Sequence, residues 1–477
     1  MTLIIAGDRS GTGKTTITLA LLAFLSQKRA TVQSFKVGPD YIDPMFHTYI
    51  TGRPCRNLDP ILTSETYVKS CFAQHCQRVD YAVIEGVMGL FDGVPFEKCL
   101  PSLGRDCREV SGSTLQYAST AHIARLLNIP VVLVIDCSRL SGSVAAIAHG
   151  YGSLDPNINI MGVILNRVGS DRHLDLLETA LTPLNIPILG SIRRQEALTI
   201  RDRHLGLVPT DELPTFNLLV DKLAHLAQTC FNWDLLLPLM RSRVGEKVPW
   251  PRQKLETRME KATVKIAIAK DKAFNFYYPD NLDILEALGS QLIYWSPLQD
   301  ETLPPGTTGL YLGGGFPEMF AQALSSHKKA LTAVKTAITQ GMPTYAECGG
   351  LMYLCQNLIT FEGESWPMVG ILPTTVQMGK KLTLGYRKAL ASHPSLLLTP
   401  GETIWGHEFH RSQLTVTPSK SLFELSSWHD NSPVYEEGWH CYNLHASYLH
   451  LHFGGCPKIA EKFFAHCLDF SQYLALD

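Results

Sequence analysis

The chain has 477 residues, 45% of them hydrophobic and 18% charged, with a formal net charge of −2. That length predicts two or three domains with sizeable cores, and the near-neutral balance, with no basic run or tail, excludes nucleic acid and anionic membrane surfaces as expected partners. Its twelve cysteines are scattered without a CxxC pair, so most read as buried thiols of a cytoplasmic protein rather than as disulfides.

The apolar opening LIIAG is only a strand in length, which predicts neither a signal peptide nor a membrane span. From there β-branched runs alternate with helical patterns: TLIIAG, ATVQSFKV, YAVIEG, VVLVIDC and IMGVILNRV, with segments such as TTITLALLAFLSQK between them. Continuous apolar strands separated by helices predict an α/β domain with a parallel sheet covered on both faces, here over residues 1–237. Residues 238–262, rich in charge and proline and without apolar period, read as a linker. A second α/β domain is expected over 263–460, with strands in VKIAIAK, QLIYWSPL, GLYLGGGFPE and PTYAECGG and in a late Thr/Val/Trp-rich stretch, followed by a C-terminal helix or tail at 461–477.

The strand TLIIAG runs into GDRSGTGKTT, a phosphate loop in which Gly7 stands one residue further from Gly13 than in the usual motif. The physical requirements are kept. Gly11 and Gly13 permit the turn, exposed amides and Lys14 meet phosphate oxygens, Thr15 can ligate Mg²⁺ at a helix N-terminus, and Thr16 follows in the same turn. The longer spacing resembles the dethiobiotin synthetase-like ligases, which activate a carboxylate with ATP.

Carboxylates gather at the same sheet edge. In KVGPDYIDP, Asp40 and Asp43 follow the second strand; in YAVIEGVMGLFDG, Glu85 ends a strand and Asp92 sits in the next loop. Mg²⁺ takes one or two carboxylates beside phosphate and water. Glu85 and Asp43, with Thr15, are the expected metal ligands, while Asp40 and Asp92 are assigned to the substrate or its intermediate. Each aspartate alone also reads as a turn or helix cap. Lys36 can counter phosphate charge, although a lone lysine is ordinarily solvated. Asn166, in GVILNRV, reads either as a turn residue or, by the dethiobiotin synthetase resemblance, as a contact to the nucleotide base.

In the second half, GMPTYAECGGLMYLCQNL predicts a strand, a sharp GG turn and a helix, with Cys348 at the elbow, where amides and a helix N-terminus are expected to lower the thiol pKa. The turns at Gly314, Gly315 and Gly349 offer N–H groups to an oxyanion. His445, His450 and His452 follow in HASYLHLHF. This order resembles the class I glutamine amidotransferases, and it is His450 that the resemblance selects as the base. The glutamate that orients the base two residues later in that class is replaced here by His452.

Together KVGPDYIDP, EGVMGLFDG, STAHIARLLNIPVVLVID, AFNFYYPDNLDILEALG, LGGGFPE, YAECGG, GHEFHRS and ASYLHLHF resemble the cobyrinate a,c-diamide synthase family from Met1 to about Phe453. The resemblance implies ATP-dependent amidation of cobyrinic acid with glutamine as nitrogen donor, Mg²⁺ as cofactor, an internal passage for ammonia and a homodimer as one expected assembly. It also suggests that Arg411, with its neighbours in GHEFHRS, helps to present a polycarboxylate; a solvated strand end is the alternative. A cysteine-bearing loop between Asp92 and Ser119 is read as a surface insertion or a lid. Alternatives are a sibling amidoligase acting on another tetrapyrrole (hydrogenobyrinate a,c-diamide synthase or cobyric acid synthase), a P-loop switch ATPase with an inert second domain, and a regulated glutamine hydrolase.

Overall fold

A computed structural model of the chain describes residues 2–95, 116–194, 213–242, 264–427 and 433–474. Most of the cysteine-bearing loop after Asp92, and the stretch read as linker from residue 243 onward, lie outside them. The chain divides into two compact units, Met1–Val248 and Pro249–Asp477.

The first unit is built on seven parallel strands: β1 (Leu3–Gly7), β2 (Val32–Val37), β3 (Arg56–Leu58), β4 (Tyr81–Glu85), β5 (Val131–Asp136), β6 (Ile160–Val168) and β7 (Ile188–Arg193). Their order across the sheet is β3-β2-β4-β1-β5-β6-β7. Ile4, Ile5, Val83, Val132 and Val134 are wholly buried, as a sheet covered on both faces requires. The helix α1 (Lys14–Gln27) follows β1, and Leu19 to Ala23 are buried throughout, so it is apolar around its circumference because it lies inside the unit. The order in which strands are added reverses across β1, which places the ends of β4, β1 and β5 side by side, the position where open α/β sheets bind ligands. Pro238, within the stretch read as linker, lies inside the helix Trp233–Met240.

The second unit carries a six-stranded sheet in the order Ser290–Trp295, Val264–Ala269, Gly309–Leu312, Thr344–Glu347, Leu444–Ser447 and Trp439–Cys441. All its pairs are parallel except the last. A second, largely antiparallel sheet is dominated by the long pair Leu372–Ala391 and Thr403–Leu414, on whose free flank the short strand His450–Leu451 docks. The late Thr/Val/Trp-rich stretch thus forms a broad second sheet, because its alternating residues bury only one face. No helix among the described residues is long and apolar enough to cross a membrane.

Candidate active sites

The site of the first unit is assembled by register. Glu85, the last residue of β4, has Lys36 of β2 and Ile5 of β1 as its Cα partners, so the carboxylate emerges beside the phosphate loop. Gly13, at φ 96°, closes that loop against α1 in a conformation that L side chains rarely adopt. A Cβ there would also collide with the side-chain amide of Asn166. The loop is tied down on several sides. Asn166 Nδ2 donates to the Thr12 carbonyl at 2.7 Å, and Leu90 N–H donates to the Gly7 carbonyl at 2.8 Å. Lys14 is 7% exposed and folds back, its Nζ 3.2 Å from the Arg9 carbonyl. Burial, with Lys36 nearby, lowers its pKa.

Thr15, Asp43 and Glu85 converge. The Thr15 hydroxyl donates to Glu85 Oε1 at 2.6 Å and lies 3.3 Å from Asp43 Oδ2. Lys36 Nζ sits among the same oxygens, 2.5 Å from Asp43 Oδ2 and 2.8 Å from Glu85 Oε1. The solvated reading of Lys36 is therefore corrected: it is 3% exposed because two carboxylates compensate its buried charge. Burial opposes ionisation of Glu85, but Lys36 and His47 outweigh it and hold that carboxyl below its ordinary range. Asp43 goes the other way: burial and the adjacent Glu85 push it up to about 8. One hydroxyl and two carboxylates facing one point form a hard-oxygen donor set, which fits Mg²⁺.

Behind this cluster lies a pair that sequence reasoning missed. His47, in the helix α2 (Ile42–Thr51), has Nε2 2.7 Å from Glu85 Oε2 and Nδ1 3.4 Å from Cys55 Sγ. A histidine in an apolar helix carries no signal by itself. Only the fold brings it to Glu85.

Asp40 and Asp92 stand apart from the three donors. Asp40 accepts from Ile42 N–H at 2.7 Å at the start of α2, with its other oxygen 3.8 Å from Lys36 Nζ. Asp92 is exposed, and it accepts from Gly89 N–H at 2.8 Å within its own turn. Asn166 has its amide donor committed to the loop, and Arg167 beside it pairs with Asp136 at 2.6 Å.

In the second unit the strand Thr344–Glu347 ends at Cys348, whose φ of 45° and ψ of −98° turn the chain sharply into the helix Gly349–Leu354. Such a strained elbow, on a non-glycine residue, is the geometry of a nucleophile held between strand and helix, here with the thiol buried. Three expectations need correction. The glycines lie in the helix rather than in a turn before it, and the helix stops at Leu354 because Cys355–Ile359 joins the second sheet. The thiol pKa is also raised, not lowered: burial dominates, with Glu318 and Glu347 adding to it, and a six-residue helix does not offset them.

Glycines surround the elbow. Gly314 and Gly315 pair antiparallel with Phe276 and Phe274. Gly315, at φ 157°, has the Ala273 carbonyl where a Cβ would stand, and its N–H nitrogen lies 2.9 Å from the Cβ position of Gly349. A Cβ on Gly314 would lie 2.6 Å from His450 Cε1 and 3.4 Å from Nε2.

The three histidines separate clearly. His445 faces the core as the register partner of Tyr345, and burial, reinforced by His440, pushes its pKa down to about 3. His452 Nε2 lies 3.5 Å from Asp280 Oδ2. His450, wholly buried, is the one that reaches the glycine turn. The GHEFHRS strand belongs partly to this site, since Cys348 Sγ lies 3.8 Å from the Phe409 carbonyl. Its Glu408 pairs with Arg387 at 2.7 Å, and Arg411 is exposed, donating to the Lys380 carbonyl at 2.7 Å.

Residues 3–207 match the CobQ/CobB/MinD/ParA nucleotide binding domain family, and residues 265–457 match the CobB/CobQ-like glutamine amidotransferase domain family. Over 467 residues the chain is 56% identical to a cobyrinate a,c-diamide synthase of Synechococcus sp., covering 98% of each. It is 54% identical to that of Synechocystis sp., covering 100% of this chain and 95% of the relative. Against that of Gloeobacter violaceus it is 47% identical, covering 98% and 97%.

Proposed function

The chain belongs to the cobyrinate a,c-diamide synthase family, and from that premise we propose how its residues divide the work. It is a carbon–nitrogen ligase of cobalamin biosynthesis that amidates the a- and c-carboxylates of cobyrinic acid with nitrogen from glutamine. ATP is the cosubstrate of the first unit.

Glutamine is opened at Cys348. The thiol proton passes to His450 Nε2 as Sγ attacks the side-chain amide carbon, and the resulting oxyanion is met by the N–H groups of Gly315 and Gly349 in the turn lined by Gly314. His450 then returns the proton to the leaving nitrogen, the carbon–nitrogen bond breaks, and ammonia leaves a glutamyl thioester that water hydrolyses to glutamate. With the thiol pKa raised by burial, activation comes from His450 at the moment of attack rather than from a standing thiolate.

In the first unit the amides around Gly11 and Gly13, with Lys14 and Thr16, hold the triphosphate. Thr15, Asp43 and Glu85 would hold Mg²⁺, which when bound supplies charge neutralisation on the phosphates. Transfer of the γ-phosphoryl group to a corrin carboxylate gives an acyl phosphate, and ammonia displaces phosphate to leave the amide. Lys36 keeps Glu85 ionised. Asp40 and Asp92 are proposed to face the corrin, and Asn166 to serve nucleotide binding through its brace on the loop; Arg411, exposed on the second unit, is proposed to attract the polycarboxylate.

The observation that carries the glutaminase reading is the strained elbow at Cys348 beside the Gly315 turn, with His450 against Gly314. Cys348→Ala should abolish glutamine-driven amidation while leaving amidation from high ammonium within about threefold of wild type. Loss of both activities in a folded variant would refute the division of labour.

A further inference from the structure

His450 needs an acceptor on Nδ1 if its Nε2 lone pair is to take the thiol proton, because the partner of one imidazole nitrogen sets the tautomer. The position two residues on is occupied by His452, which turns away to Asp280 and lies against Tyr278 at 4.7 Å. A carboxylate nonetheless stands at the right nitrogen: Glu347 Oε2 is 3.6 Å from His450 Nδ1. We propose that Glu347, immediately before the nucleophile in the chain, is the positioning carboxylate of the Cys348–His450 pair. This rests on the glutaminase reading above and completes it.

The fold explains how one residue serves this purpose. Glu347 ends its strand in register with Ser447, and the chain beyond Ser447 loops back to lay His450–Leu451 across the same edge. Leu451 N–H donates to Glu347 Oε1 at 3.0 Å, and the Tyr345 hydroxyl donates to that oxygen as well. The Tyr311 hydroxyl donates to Oε2 at 3.2 Å. Three donors thus fix a carboxylate that is 1% exposed and turn Oε2 toward the imidazole. At 3.6 Å the contact is an ion-pair distance rather than a hydrogen bond, and such contacts tighten once substrate is bound. Nδ1–H then points at Glu347, and Nε2 presents its lone pair on the Gly314 side. Glu347 itself takes no proton; it selects the tautomer and favours the imidazolium formed during attack. Because the same residue leads into the nucleophile, one strand end aligns both members of the pair.

The test is Glu347→Gln in the full chain, with kcat and KM for glutamine hydrolysis measured beside ammonium-driven amidation and thermal melting. A positioning role predicts a kcat loss of about 10²-fold or more, KM for glutamine within about threefold, and unchanged ammonium-driven amidation. A folded variant whose kcat stays within about threefold of wild type would overturn the proposal. Retention of glutamine hydrolysis by Cys348→Ala would instead overturn the underlying reading, so the two failures are distinguishable. Should Glu347→Gln not fold, ¹⁵N NMR of imidazole-labelled wild type, assigned with His450→Gln, decides the matter. A neutral His450 protonated on Nδ1 is expected, and one protonated on Nε2 contradicts the role.

Discussion

Lys36 shows how one buried side chain can hold a site in a usable state. Its ammonium lies between Asp43 and Glu85 and has almost no exposure, so removing it leaves Asp43 without compensation and Glu85 with His47 alone. Lys36→Met is therefore expected to destabilise the first unit by about 3 kcal/mol, the low end of the range for breaking a buried pair, because Asp43 already leans toward its neutral form. Urea unfolding measures this, and a loss below about 1 kcal/mol would contradict it. Lys36 was visible in the sequence only as a charge near a loop. Glu85 was legible as a ligand because it closes an apolar strand, but its neighbour His47 was not, since the contact depends on α2 packing against β2 and α1. Glu347 was hidden for a related reason: a carboxylate beside the nucleophile in sequence reads as the end of a strand, and only the return of His450 gives it a partner.

At the scale of elements, the strands of the first unit were legible because parallel strands buried on both faces are continuous apolar runs. The second sheet of the other unit was only partly so, because Leu372–Ala391 alternates and carries charge on its open face. The elbow was legible as strand–cysteine–glycine, yet the helix after it is short because Cys355 onward is captured by β pairing. Two strands of this unit carry a pH dependence. His407, on Thr403–Leu414, and His445, on Leu444–Ser447, are both buried and pushed down to about 3: burial leads in each, with His450 and Arg387 acting on His407 and His440 on His445. Their folded-state values lie below the unfolded value of 6.5, so the stability they confer is complete above pH 6.5 and is lost as pH falls toward 3. Each residue should cost the second unit up to about 1.4 kcal/mol per pH unit in that window. Denaturant unfolding at pH 7 and pH 5 checks the slope, which His445→Gln should roughly halve; a flat profile in the wild type would contradict the assignment.

For the whole molecule, two units with separate cores carry two chemistries, and the family places both on one pathway step. The separation of roles was legible in the sequence because each unit announces its chemistry at a strand end, a phosphate loop in one and a cysteine elbow in the other. The most direct measurement supplies the full-length protein with cobyrinic acid, ATP, Mg²⁺, amide-¹⁵N glutamine and unlabelled ammonium at a concentration too low to drive amidation without glutamine, and reads the corrin product by mass spectrometry. Two ¹⁵N amides per corrin, formed only with Cys348 intact, are expected. Unlabelled amides made by the protein with Cys348 intact, or glutamine turnover with no amidated corrin, would contradict the coupling of the two sites.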